Sequence, residues 1–230
     1  ITSFGFFGGP CLPTERWPMT NPNSTLIAAL LDRSGSMNSS VQATEHGWRE
    51  LIDVQRANPG ICHVSLAQFD YEYDVVYPPT DIAAVPEFVL DPRGSTALLD
   101  ATGRFITELG EQLAALPEDE RPGQVICLIM TDGMDNCSQH WTWAGIKHLI
   151  TQQRMVYNWE FIFLGADIDA VEFGERMGVD RKFSMTYNKW DYLDNRKAFE
   201  SMTALVTEAR AAGKLEDGFS DADRREAMGQ

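Results

Sequence analysis

From Thr25 onward the chain alternates continuous apolar runs with longer segments whose apolar positions recur at helical spacing. Leu26–Leu31 and Val125–Met130 are unbroken apolar runs, which predict strands buried on both faces. Asn38–Asn58 reads as an amphipathic helix stopped by Asn58-Pro59-Gly60. Ile61–Phe69 and Tyr73–Tyr77 predict two strands joined by a short acidic turn, a hairpin closed by Pro78 and Pro79. Leu98–Leu116 is the next predicted helix, stopped by Pro117 and followed by the polar loop Glu118–Gly123. Beyond Val125–Met130, Trp141–Arg154 reads as a helix, Glu160–Leu164 as a strand, and Ala170–Gly178 as a short helix closed by glycine. Lys182–Met185 reads as an edge strand and Asp191–Ala212 as the last long helix. Residues 1–24 are rich in Gly, Pro and Asn and carry Phe4, Phe6, Phe7 and Trp17; they read as an arm, disordered or docked on a surface. Residues 213–230 read as a charged tail.

Strands alternating with helices predict a doubly wound α/β domain over 25–212: a mostly parallel sheet with one antiparallel edge strand and helices on both faces. Ligands of such sheets bind beyond the carboxyl ends of the strands, where the strand order reverses. The strands Leu26–Leu31 and Val125–Met130 are expected to flank that point, and a carboxylate follows each, Asp32 and Asp132.

The chemistry at these ends is consistent. Asp32-x-Ser34-x-Ser36 puts one carboxylate and two hydroxyls at the tip of a buried strand. Gly94-Ser95-Thr96-Ala97-Leu98 offers a third hydroxyl in a turn before a helix, and Thr131-Asp132-Gly133 ends the second buried strand. Asp-x-Ser-x-Ser alone is a weak pattern; three hydroxyl- or carboxylate-bearing pieces at three element boundaries are a stronger one. Hydroxyls and carboxylates are hard oxygen ligands that suit Mg²⁺ or Mn²⁺, and less well Ca²⁺. The plainer alternative is an N-cap serine and a satisfied turn aspartate.

With these pieces assembled, the chain resembles the von Willebrand factor A domain family over roughly residues 25–212. That family's metal-ion-dependent adhesion site is written Asp-x-Ser-x-Ser, a distant Thr, and an Asp followed by Gly, all present here. The segment Trp159–Asp169 is similar to a bacterial or bacteriophage branch. The resemblance implies a Rossmann-like fold and direct metal binding by Ser34, Ser36 and Thr96. Asp32 and Asp132 would hold the ion directly or through water and orient the hydroxyls. It also implies a protein partner that presents an Asp or Glu carboxylate to the metal.

Around this site, Gly35 lets the backbone curl tightly, Arg33 either points to solvent or rims the site, and Met37 and Asn38 begin a helix whose dipole favours a bound anion. Asp70, Tyr71 and Glu72 either shape a partner surface or form a solvated hairpin turn. Asp135, with Asn136 and Ser138, reads as a loop and helix cap or as rim. His140, Trp141 and Trp143 are candidate contact anchors, with core packing of a Trp as the alternative. Asp100 reads as a helix-surface or capping residue, and Asp167 and Asp169 lie on the ligand face, farther from the metal.

Charge and cysteines narrow the function classes. The formal charge of −15 argues against nucleic-acid and anionic-membrane surfaces, and no run approaches the roughly 20 apolar residues of a membrane helix. Cys11, Cys62, Cys127 and Cys137 form no Cys-x-x-Cys pair. Cys62 and Cys127 read as core residues, and the resemblance implies a strand between them that puts them too far apart to bridge; Cys11 with Cys137 stays open, and a reducing cytoplasm is the expected compartment, or a virion if phage-encoded. No nucleophile elbow, P-loop or Rossmann glycine fingerprint is present. The reading is a non-catalytic, metal-dependent protein-binding module of a bacterial or phage assembly. The alternatives are a metal-dependent phosphoester hydrolase, with Asp70 or His140 as base, and a structural component with a stabilising metal.

Overall fold

The computed structural model describes residues 20–230, so the predicted arm up to Met19, and Cys11 with it, lies outside the described residues. The apolar run around Leu26–Leu31 is the centre of strand β1 (Asn21–Asp32), which begins before the expected domain start at Thr25. Strands β2 (Ile61–Phe69) and β4 (Pro122–Thr131) both pair with β1 in parallel, one on each edge, which makes it a central strand, and its side chains from Ser24 to Asp32 are buried on both faces. That placement explains why its sequence shows no polar alternation. Strand β3 (Tyr73–Asp81) pairs antiparallel with β2, while β5 (Glu160–Ala166) and β6 (Ser184–Tyr187) continue the sheet in parallel beyond β4. The order is β3-β2-β1-β4-β5-β6, a doubly wound sheet with one antiparallel edge strand. Its order reverses between β1 and β4, as the sequence predicts.

Among the described residues six α-helices accompany the sheet: α1 (Val41–Ala57), α2 (Leu98–Ala115), α3 (Trp143–Tyr157), α4 (Ala170–Met177), α5 (Tyr192–Ala212) and α6 (Asp221–Glu226). Winding from β1 to β2 and from β4 to β5 in opposite directions puts α1 and α3 on opposite faces when each crossover is right-handed. Helix α1 packs on α5, whereas α3 packs on α2 and α4. The α1–α5 contact is close because Gly47 leaves room for the Phe199 ring; a Cβ there would come 2.2 Å from it.

Three expectations change. Pro78 and Pro79 do not close the hairpin: β3 runs on to Asp81, its register against β2 slips there, and an edge strand tolerates residues that donate nothing to a ladder. The helix after Ser36 starts at Val41, not Asn38, because Gly35–Ser39 form a 3-10 turn first. The C-terminal tail is packed: Phe219 and Ala227 are buried, and α6 follows a capping box made by Ser220 and Asp223. Among the described residues no helix is long and apolar enough to cross a membrane.

Candidate metal centre

Parallel pairing of Leu31 with Met130 delivers the ends of β1 and β4 side by side. Asp32, fully buried, accepts from the Ser34 amide through Oδ1 at 2.6 Å and from Thr131 Oγ1 through Oδ2 at 2.6 Å. This carboxylate therefore shapes the Asp-x-Ser turn from behind. Burial pushes its pKa up to about 6, against the lowering effect of the Thr131 and Ser34 hydrogen bonds, with a further upward push from the Asp132 charge.

The turn carries the hydroxyls forward. Ser34 Oγ and Ser36 Oγ lie 3.0 Å apart, and Ser36 Oγ donates to Asp132 Oδ1 at 2.7 Å. The loop bearing Thr96 is laced to this turn, where Gly35 N donates to Gly94 O and Arg93 N to Arg33 O, and to the end of β2, where Ala97 N donates to Asp70 O. The Thr96 backbone is clamped reciprocally by Asn136, whose side chain accepts from Thr96 N and whose amide donates to Thr96 O. A Cβ on Gly133 would stand 3.4 Å from Thr96 Oγ1 and 3.9 Å from Ser36 Oγ, so the missing side chain leaves a small space faced by both hydroxyls. Asp32, Ser34, Ser36, Thr96 and Asp132 are thus brought together.

Whether this set fits a divalent cation can be judged from its donors. Among the described residues no group of three His, Cys, Asp or Glu side chains is placed to hold a metal. Two carboxylates with three hydroxyls form a different, hard-oxygen set, suited to a small cation that retains water. The Tyr187 hydroxyl is buried beside the same carboxylates without a hydrogen-bond partner. Its pKa is raised by burial first and then by Asp132, Asp32 and Asp167. The donor set fits the ion.

The rim differs from expectation at two positions. Arg33 is buried, and its guanidinium pairs with Asp70 at 3.0 Å and with Asp74. Asp70 is buried as well and also accepts from Arg93 Nε at 2.8 Å, so both charges are spent inside the fold. Tyr71 and Glu72 are exposed, with Glu72 paired to Arg93. Asp135 accepts from the Leu99 amide and from Ser138, the capping role. Asp100 caps the following loop through three amides, those of Gln139, His140 and Trp141. His140 is exposed; Trp141 is half-buried against Gly103; Trp143 packs edge-on to Phe173 beneath the Arg176 guanidinium. An open groove of about 940 Å³ is lined by Tyr71, Tyr73, Arg104, Glu108, His140 and Trp141, among others.

Sequence reasoning missed Lys189. Only 7% exposed, it places Nζ 2.9 Å from Asp132 Oδ2. The available signal was its position two residues past β6, at the sheet end that carries Asp132; a lone lysine otherwise reads as solvated. Trp190 and Leu193, which follow it, are large exposed apolar residues at that same end.

No family model matches the sequence, and no curated protein does. Solved structures do match in fold. Proximal thread matrix protein 1 from the mussel byssus is similar with a TM-score of 0.60 at 15% identity, over 82% of this chain and 48% of that one. A von Willebrand factor type A structure from Catenulispora acidiphila gives 0.55 at 18% identity, over 82% and 43%. The vWF domain of the type V pili tip protein Mfa5 from Porphyromonas gingivalis gives 0.54 at 11% identity, over 86% and 98%. The chain thus spans about half the length of the first of these structures. Its six-stranded sheet, with one antiparallel edge and helices on both faces, is the Rossmann-like fold of von Willebrand factor A domains.

Proposed function

We propose that the chain is a non-catalytic protein-binding module whose site takes up Mg²⁺ or Mn²⁺ and, through that ion, an Asp or Glu of a partner protein. The observation that carries this reading is the convergence of Ser36 and Thr96 hydroxyls on the space left open by Gly133, with Asp132 bonded to Ser36. Ser34, Ser36 and Thr96 would hold the ion, with Asp32 and Asp132 contributing directly or through water. When bound, the ion supplies an electrophilic centre for a carboxylate oxygen. Asp32 fixes the turn through the Ser34 amide and Thr131, so the serine hydroxyls are oriented before anything binds. The likeness to a pilus tip protein domain supports a role in protein–protein contact. Membership of a bacterial or phage assembly, in the cytoplasm or on a virion, is part of the same proposal.

The hydrolase reading loses support from the packing. Asp70 is locked by Arg33 and Arg93, and His140 sits on a loop whose amides are tied to Asp100. The test is calorimetric titration with Mn²⁺, followed by capture of partners from source or host lysate in Mn²⁺ against EDTA. Wild type should bind one ion and retain a partner only with metal, and Ser34→Ala and Asp132→Ala should lose both while still folding. Unchanged partner retention by the two variants would overturn the reading.

A further inference from the structure

We propose that Lys189 is a built-in counter-ion of Asp132 that weakens the site's own hold on a divalent cation and makes that hold depend on an acidic partner. This rests on the metal-site reading above. The geometry divides Asp132 between two neighbours. Oδ1 accepts from Ser36 on the hydroxyl side, and Oδ2 accepts from Lys189 Nζ at 2.9 Å. The ammonium therefore shares the carboxylate with the hydroxyl cradle and does not occupy the cradle itself. Its other neighbours are Asp167 Oδ2 at 4.0 Å and the Trp190 ring, whose centroid lies 5.0 Å away.

The lysine is held in place. Asn188 N donates to Ala227 O, Asn188 Nδ2 donates to Asp194, and Trp190 N donates back to Asn188 Oδ1. Asp191 then caps α5 through the Leu193 and Asp194 amides. Lys189 is thus delivered by a turn tied at both ends, and a buried ammonium that left Asp132 would lose its closest counter-charge.

Charge arithmetic gives the consequence. Among the groups bonded to the hydroxyl turn or to its carboxylates, Asp32 and Asp132 with Lys189 sum to a formal −1, so a divalent cation leaves them at +1, and one partner carboxylate neutralises it; Asp167, a third exposed and 4.0 Å from the ammonium, is screened by solvent. Without Lys189 the two aspartates alone neutralise the cation, and a partner carboxylate gains only the local pull of the ion, with no net charge left to neutralise. Repulsion between an ammonium and a divalent ion that share one carboxylate corresponds to roughly a tenfold or greater loss of cation affinity.

The experiment is calorimetric Mn²⁺ titration of the intact chain as wild type, Lys189→Gln and Lys189→Arg, with Asp132→Ala as control. Each is run in sodium chloride and again in sodium acetate of equal ionic strength, acetate serving as the carboxylate probe. Lys189→Gln can still donate to Asp132 but carries no charge; it should bind Mn²⁺ about tenfold more tightly in chloride and lose the gain from acetate. Lys189→Arg should behave as wild type, and wild type itself should bind Mn²⁺ more tightly in acetate. Lys189→Gln binding at or below wild-type affinity overturns the proposal, as does an absence of acetate enhancement in wild type, which needs no variant to fold. If wild type and Asp132→Ala both fail to bind Mn²⁺, the metal-site reading itself falls, an outcome distinct from either of these.

Discussion

Arg33 Nε donates to Asp70 Oδ2 at 3.0 Å, and both side chains are buried. The variable residue of the Asp-x-Ser-x-Ser turn is thereby committed to clamping the turn to the end of β2. Asp70 Oδ1 also accepts from the Glu72 amide, and the Asp70 carbonyl accepts from Ala97 N, so one residue ties together the two loops that carry Ser34 and Thr96.

Replacing Asp70 with Asn should cost about 3 kcal/mol, the low end for breaking a buried pair, because Arg33 keeps Asp74. Urea unfolding at pH 7 measures it. Burial alone would raise the Asp70 pKa, but the Glu72 amide, Arg93 and Arg33 together hold it below the ordinary carboxylate value. Its contribution is therefore present above the unfolded value and lost as pH falls through the folded one. The gap between wild type and Asp70→Asn should stay constant from pH 7 to about 5 and close only below about pH 4.

The contrast between Arg33 and Lys189 shows what the sequence could convey. Strands β1 and β4 were legible because burial on both faces forbids polar residues, and Asp32, Ser34, Ser36, Thr96 and Asp132 because each sits where an apolar run or a turn ends. Partners of charged side chains were not legible. Arg33 finds Asp70 across 37 positions and Lys189 finds Asp132 across 57, distances at which no periodicity links two charges. The docked tail was hidden for a related reason: only Phe219 and Ala227 of that segment are buried apolar residues, too few to show a helical stripe.

Asp32 should give the opposite pH dependence to Asp70. Its folded pKa, about 6, lies above the ordinary 3.8, so its stabilising contribution is complete below the lower value and is lost as pH rises through the higher. In EDTA, the stability of wild type relative to Asp32→Asn should fall between pH 4 and pH 6.5 by about 2 kcal/mol, most of the effect of the raised pKa, since each tenfold change in proton affinity is worth roughly 1.4 kcal/mol. Urea curves at half-unit intervals check this. A flat difference would mean that Asp32 is ionised in the metal-free fold throughout that range.

Gly133 separates the fold from the site. A Cβ there meets Thr96 Oγ1 at 3.4 Å and Ser36 Oγ at 3.9 Å, ordinary contacts that no atom need move to relieve. Its backbone lies outside the left-handed region, so alanine adds no strain and restricts the unfolded chain. Gly133→Ala should leave stability unchanged or raise it by up to about 1 kcal/mol, and it should weaken Mn²⁺ binding by filling the space between the hydroxyls. Thermal melts in EDTA and calorimetric titration read the two effects separately. Wild-type Mn²⁺ affinity in this variant would mean that no cation sits between those hydroxyls.

The C-terminal segment should matter to the site although it touches none of its hydroxyls. Phe219 is buried, its amide donates to Lys182 O, and Arg224 Nη1 donates to Ser184 O, so the segment is sewn onto the start of β6. At the other end of β6, Ala227 O accepts from Asn188 N, the residue before Lys189. Phe219→Ala should cost about 3 kcal/mol as a large-to-small core change, and Ser220→Ala about 1 kcal/mol through the lost cap. Removing residues 218–230 should free the Asn188 amide and loosen the turn that presents Lys189. Hydrogen exchange would then quicken at Asn188 while the amides of β1 and β4 stay protected. Undiminished protection of Asn188 in the truncated chain would show that Asp191 and the α5 cap suffice to hold Lys189 against Asp132.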